Sequence, residues 1–188
     1  MIYLASTSPR RKKILRDHGI QFQVLKPDYE EKPLKGYTVL ATVKKHALMK
    51  GLSAAHQVAD GLIVSADTVV FFDRQIIGKP KNMKEAVRML TMLQGNWHVV
   101  YTAAAILHVK NGKIKKKKVF CEKTHVFLKE MNEKDILRYF RSVRPLDKAG
   151  AYAIQSKNSI VSKIRGSFFN AMGLPWERIR SQFFGQEI

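Results

Sequence analysis

Ser8-Pro9-Arg10-Arg11-Lys12-Lys13 sets a hydroxyl, a proline and four cations in six consecutive positions. Serine at the N-cap and proline at the first helical position predict a helix from Ser8 to His18, with Gly19 where a C′ glycine belongs. Cations there oppose the helix macrodipole, which favours anions at an N-terminus by roughly 0.3–1 kcal/mol per charge. A capping box would have Glu or Gln in place of Arg11. A phosphate resolves the conflict, because backbone N–H groups, the Ser8 hydroxyl and two guanidinium groups can all donate to its oxygens. A solvated basic face would carry the same residues, and both readings stay open at this point.

Ser65-Ala66-Asp67-Thr68 stands at the end of an apolar run. A carboxylate there can hold a divalent cation or take a proton from water, and α/β proteins bind ligands at strand carboxyl ends. An aspartate that merely caps a turn is the plainer alternative. Gly78-Lys79-Pro80 follows one hairpin later, and Glu30-Glu31 is an acidic pair in a polar loop after Pro27. Metal ligation and loop solvation explain that pair equally. Pro145 to Gln155 is rich in small residues and ends on Tyr152-Ala153-Ile154-Gln155. A glutamine amide, donor and acceptor at once, can read a nucleobase edge. Packing explains Tyr152 as well as stacking does.

These residues need elements to place them. Ile2 to Ala5 reads as a short buried strand and Phe22 to Leu25 as a second. Tyr37 to Ala55 reads as a helix, with Val39, Leu40, Val43, Ala47, Leu48 and Leu52 at helical spacing. Leu62 to Phe72 is β-rich, and Asp73-Arg74 turns it into Gln75-Ile76-Ile77. Asn82 caps a helix over Met83 to Leu93 whose Ala86, Met89, Leu90 and Leu93 share a face. Trp97 to Val109 and Lys113 to Leu128 form a hairpin at Asn111-Gly112. A helix over Asn132 to Arg141, strands over Ala151 to Gln155 and Ser159 to Ile164, and a helix opened by Pro175, with Trp176, Ile179 and Phe183 on one side, complete the chain. Helices and strands interleave, but the hairpin excludes a purely parallel sheet. The expectation is a single α/β domain over 1–188 with a mixed sheet and flanking helices.

Composition bounds the rest. The 188 residues suit one domain, and 45% hydrophobic content argues against disorder. One cysteine, Cys121, excludes a disulfide scaffold and points to a reducing compartment. No stretch is long and apolar enough to span a bilayer, and no signal peptide is visible, so the expected setting is cytoplasmic with no membrane partner. The formal net charge of +19 is spread along the chain, with one dense block at Lys115-Lys116-Lys117-Lys118. Such a field selects an anionic partner without naming it. P-loop, dinucleotide, nucleophile-elbow and paired-cysteine patterns are all absent, and the six histidines lack metal-ligand spacing. His98 and His108 read as sheet residues and Cys121 as packing.

Together these segments resemble the Maf family of nucleoside triphosphate pyrophosphatases. The resemblance rests on Leu4-Ala5-Ser6-Thr7-Ser8-Pro9-Arg10-Arg11, Ser65-Ala66-Asp67-Thr68-Val69-Val70, Gly78-Lys79-Pro80, Pro145 through Gln155, Lys163-Ile164-Arg165-Gly166-Ser167 and Gly173-Leu174-Pro175. It implies an inosine triphosphatase-like fold, a divalent cation such as Mg²⁺ or Mn²⁺, and hydrolysis of a nucleotide to monophosphate plus diphosphate. Carried over by position, Asp67 is the proton acceptor, and Arg10, Arg11, Lys44 and Lys79 hold the triphosphate beside Ser8. Glu31 assists Asp67 at the metal, and Arg10, Thr68 and Gln155 tune base choice. Ser8-Pro9-Arg10-Arg11 and Ala66-Asp67-Thr68 are similar to the branch acting on dTTP and UTP. Ser65, Ala153 and Ser156 depart from it, since glycine is common at those places. Competing readings are a basic nucleic-acid-binding module, supported by the net charge, and an interaction protein in division control, which the family name suggests. Nonspecific contact with nucleic acid and a homodimer both remain open.

Overall fold

The computed structural model describes residues 1–156 and 158–184. Its sheet has seven strands: β1 (Ile2–Ala5), β2 (Gln23–Leu25), β3 (Gly61–Phe72), β4 (Gln75–Ile77), β5 (Trp97–Lys110), β6 (Lys113–Leu128) and β7 (Val161–Arg165). They run in the order β2-β1-β3-β5-β6-β7, with β4 paired to β3. β1 is parallel to both β2 and β3, whereas β4 and β7 are antiparallel to their partners, so the sheet is mixed as expected. Among the described residues six α-helices accompany it: α1 (Pro9–Asp17), α2 (Val39–Ala54), α3 (Met83–Leu93), α4 (Glu133–Phe140), α5 (Phe168–Met172) and α6 (Trp176–Phe184). No described helix is long and apolar enough to cross a membrane.

The chain divides into two compact units. The first comprises Met1–Asp67, Thr102–Glu122 and the stretch from Gly173. Ala5, Leu25, Ala54, Val58, Ile63, Leu107 and Val109 form one cluster of its core. Ile14 and Leu15 of α1 are buried as their spacing predicts, as are Trp176 and Ile179 of α6. The burial expectation for Phe183 concerns a side chain outside those described. Ser8 occupies the N-cap of α1, yet its side chain makes no capping hydrogen bond. The hairpin tip is held by Asn111 N donating to Asp60 Oδ1 (3.1 Å) and Gly112 N donating to the Ala59 carbonyl (2.9 Å).

In α2 the buried face is turned from the one expected. Val43, Ala47 and Ala54 are buried, but Leu40 is exposed, and Thr42, His46 and Lys50 are buried as well. Those three polar residues recur every four positions, which stacks them in a stripe along the helix. Gly51 lets this helix approach β3: a Cβ on it would lie 2.7 Å from Ser65 Oγ and 3.0 Å from Leu107 Cδ1.

The second unit comprises Thr68–Tyr101 and Lys123–Met172. Asn82 caps α3 by accepting from Glu85 N (2.9 Å), and Ala86, Met89, Leu90 and Leu93 are its buried face. Asn132 and Asp135 form a reciprocal capping box on α4. Asp73 and Arg74 both have positive φ, the geometry a two-residue hairpin needs. Ala151 to Gln155 is not the strand that its composition predicts. Residues Ala149–Ala151 make a 3-10 turn in which Gly150 and Ala151 have φ of 69° and 63°. That turns the chain away from a ladder, and its backbone finds other partners: Gly150 N donates to the Gly78 carbonyl (3.0 Å) and Ala153 N to Tyr139 Oη (2.9 Å). The five-residue α5 escapes a periodicity reading because it is shorter than two helical turns; Ser167 Oγ accepts from Asn170 N at its start.

Candidate active site

The pairing of β1 with β3 runs from Ile2–Leu62 to Leu4–Val64, so the later residues of β3 lie beyond the carboxyl end of a parallel strand. Asp67 sits there. It is the seventh of the twelve residues of β3, in mid-strand and not at the strand's end as the apolar run suggested. That is the side of the sheet, past the carboxyl end of β1, on which α/β sheets bind ligands.

The Asp67 side chain is 4% exposed, and its Oδ1 accepts from Lys50 Nζ at 2.7 Å. The same ammonium lies 2.6 Å from Glu31 Oε1. Lys50 thus joins a buried carboxylate of the sheet to a half-exposed carboxylate of the loop after β2. Asp67 Oδ2 is buried and has no hydrogen-bond partner among the described residues. A buried carboxylate oxygen without a donor costs free energy, so such an atom is ordinarily kept for a ligand.

Helix α2 also places the loop. Tyr29 Oη meets His46 Nδ1 at 2.8 Å, one turn before the Lys50 contact with Glu31. Two anchors spaced by one helical turn hold Glu31 against the polar stripe of α2. Burial raises the Tyr29 hydroxyl's pKa; Lys45 opposes this, and the charges of Asp67 and Glu31 add to it.

The basic turn of α1 splits into separate jobs. Arg11 is buried; its Nε donates to the Gly173 carbonyl (2.7 Å) and its Nη1 to Ser6 Oγ (3.1 Å). Ser6 Oγ also accepts from Ser8 N (3.3 Å), so the Ser6–Ser8 turn is tied to this guanidinium. Burial pulls the Arg11 pKa below its usual very high value; Asp67 opposes that, Arg10 reinforces it and Glu31 opposes it. The Arg11 guanidinium is therefore within electrostatic reach of both carboxylates. Arg10 is half-buried beside it. Ser65, one of the departures noted above, is fully buried and donates to the Ala47 carbonyl of α2 at 2.7 Å, so it faces the helix.

The structure brings Ser8, Arg10, Arg11, Glu31 and Asp67 into one unit and adds Lys50, which sequence reasoning missed. Lys50 falls three residues after Ala47 and four before Ala54, which puts it on their face of α2, but nothing in the sequence marks the carboxylates it meets. Lys44, the lysine chosen by resemblance, is half-buried on α2 in the same unit, and its charge acts on the Cys121 thiol, on which Asp67 acts as well. Burial pushes that thiol up to about 11, against Lys44 and Arg178, so it stays protonated as a packing residue does. Thr68, Lys79 and Gln155 belong to the second unit. Lys79 and Gln155 are exposed there, and the Gly150–Gly78 hydrogen bond holds the loop before Gln155 against the Gly78-Lys79 segment. Tyr152 is buried, with its hydroxyl 2.7 Å from His98 Nε2, which decides for packing over stacking.

No group of three or more His, Cys, Asp or Glu side chains suited to a metal occurs among the described residues. Two carboxylates with one bare oxygen still fit Mg²⁺ or Mn²⁺, since Mg²⁺ typically takes one or two protein carboxylates and completes its shell with water and substrate phosphate.

Comparison with known proteins gives the family. Residues 1–184 match the family model described as Maf-like protein. The chain is 39% identical over 182 residues to the dTTP/UTP pyrophosphatase of Dictyoglomus thermophilum, covering 96% of this chain and 93% of that one. It is 42% identical over 179 residues to the protein of the same name from Aquifex aeolicus, covering 93% and 89%. Among solved structures, the Ham1 protein of Staphylococcus aureus aligns over 99% of both chains with a TM-score of 0.54 at 15% identity, a likeness of fold. By the extent of the family match and the identity to these relatives, the chain belongs to the Maf family.

Proposed function

We propose that this protein hydrolyses nucleoside triphosphates of the dTTP and UTP kind to the monophosphate and diphosphate. The observation that carries the proposal is Asp67 Oδ2, a buried carboxylate oxygen with no donor among the described residues, set beside Lys50 and Glu31. The names of the relatives supply the substrate class.

In this reading Asp67 Oδ2 accepts a proton from a water molecule as its oxygen attacks the α-phosphorus. The bond between that phosphorus and the α,β-bridging oxygen breaks, and diphosphate leaves with the electron pair. Lys50 fixes Asp67 Oδ1, which leaves Oδ2 the basic atom. Arg10, Arg11, Lys44 and the Ser8 hydroxyl supply positive potential and donors for the phosphates, and the unused capping position of Ser8 leaves its side chain available. Phosphoryl transfer is mainly positioning and charge neutralisation, so this set suffices in kind. A divalent cation held by Glu31 and Asp67 would neutralise phosphate oxygens. The roles of Lys79 as a further phosphate contact and of Thr68 and Gln155 as base-selecting residues rest on the motifs they belong to.

The test is a product-resolved panel: purified protein, Mg²⁺ or Mn²⁺, and the common nucleoside triphosphates. Monophosphate plus diphosphate from dTTP and UTP supports the proposal. Orthophosphate plus nucleoside diphosphate, or no turnover, overturns it. Asp67→Asn should lose most activity while retaining the wild-type circular dichroism spectrum.

A further inference from the structure

The lysine block of β6 has no part in the chemistry above, and the fold gives it an unusual setting. Residues 113–118 of β6 are all exposed, and five of the six are lysine: Lys113, Lys115, Lys116, Lys117 and Lys118. No Asp or Glu occurs between Glu85 and Glu122 in the sequence. Among the described residues, Lys113, Lys115, Lys116 and Lys117 form no ion pair, and Lys118 contacts the neutral amide oxygen of Gln182. β7 pairs with β6 only over His125 to Leu128, so no described strand covers the outer edge of residues 113–118.

We propose that this lysine-lined strand edge is a docking surface for the phosphate backbone of nucleic acid. Alternate side chains of a strand point to opposite faces at about 3.3 Å rise per residue. Lys113, Lys115 and Lys117 therefore form one row and Lys116 and Lys118 a second, with about 6.6 Å between neighbours in a row. A phosphate backbone lying along the edge meets both rows. The occupant is argued from charge complementarity: five cations with no ion-pair partner among the described residues match a regular polyanion. Base readout is absent from the design. Phe120 is buried under the Arg178 guanidinium (4.7 Å to the ring centroid), and Ile114 is the one exposed large apolar residue of the segment, so there is no aromatic stacking platform. Binding is accordingly insensitive to sequence and strongly dependent on salt. It stands apart from nucleotide hydrolysis, so either can fail alone.

The experiment measures fluorescence anisotropy of a labelled 24-base-pair duplex, in DNA and RNA versions, across a salt series with the full chain. Wild type should bind with a slope of log K on log salt of about −4 to −5, from about 0.9 per neutralised phosphate. Replacing Lys115 to Lys118 with Ser should flatten that slope by about 3.6 and weaken low-salt binding at least tenfold. Replacing the same four with Arg should restore both, and nucleotide hydrolysis should be unchanged in either variant. Lysines also guard exposed strand edges against pairing with other chains. If wild type does not bind the duplexes and the Ser variant instead self-associates on gel filtration, the edge-guard role replaces the proposal. Equal binding by wild type and Ser variant, or binding to vesicles with 30% anionic lipid but to neither duplex, overturns it.

Discussion

Lys50→Met is the substitution that most sharply separates the site's architecture from its chemistry. In wild type the ammonium lies 2.7 Å from Asp67 Oδ1 and 2.6 Å from Glu31 Oε1, with the lysine side chain 11% exposed. Removing it strands the Asp67 carboxylate, whereas Glu31, 42% exposed, can be hydrated. Breaking one side of a buried pair typically costs about 3–5 kcal/mol. Arg11 still acts on Asp67, which argues for the lower end, about 3 kcal/mol. In a chain of this size that lowers Tm by about 6–12 °C. Asp67→Asn alone should cost less, because Lys50 keeps Glu31. The double variant Lys50→Met/Asp67→Asn should then be more stable than the sum of the two losses, with a coupling of about 1–3 kcal/mol. Urea unfolding of the four proteins measures this directly, with the midpoint shifting and the slope constant. Losses additive to within about 0.5 kcal/mol would refute the claim that Lys50 serves chiefly to hold the Asp67 charge in place.

Acid should weaken the second unit through His98. Burial holds its imidazole down at about 4, below the unfolded value of about 6.5, so the unfolded chain binds the extra proton first. Stability is complete above about pH 6.5 and falls by roughly 3 kcal/mol as pH drops through 4. Urea midpoints at pH 7 and 4.5 should show a smaller acid loss in His98→Gln; an identical loss refutes the assignment. Gly51→Ala should destabilise by about 1 kcal/mol or more, overpacking against Ser65 and Leu107 outweighing the helix propensity gained. Ser65→Gly in the same chain should recover much of that; a Gly51→Ala protein with unchanged Tm contradicts the close approach. Mn²⁺ at ten times its dissociation constant should stabilise wild type by about 1.4 kcal/mol, a Tm rise of about 3–6 °C. Glu31→Gln and Asp67→Asn should abolish that rise, and its persistence in both removes these residues from the metal site.

The elements most legible in the sequence are those set by local chemistry. Asn82 announced the helix it caps, Asn111-Gly112 announced its hairpin, and Ile2 to Ala5 announced the first strand. Where tertiary partners decide, the reading drifted. Ala151 to Gln155 has strand-like composition, but Gly150 and Ala151 take positive φ and the Gly78 carbonyl and Tyr139 hydroxyl replace a ladder. The apolar pattern of α2 turned its face toward Leu40, because Thr42, His46 and Lys50 are buried through partners far off in sequence. For the same reason the acidic pair in the loop could be seen but the cation joining Glu31 to Asp67 could not. A lysine beside apolar residues looks like any surface lysine until the strand carrying Asp67 is laid against it.

The central claim is attack of water on the α-phosphorus under Asp67, and isotope placement tests it most directly. Hydrolysis of dTTP or UTP in ¹⁸O water, with mass spectrometry of both products, should put one ¹⁸O in the nucleoside monophosphate and none in the diphosphate. Label in the diphosphate, or release of labelled orthophosphate, would contradict it.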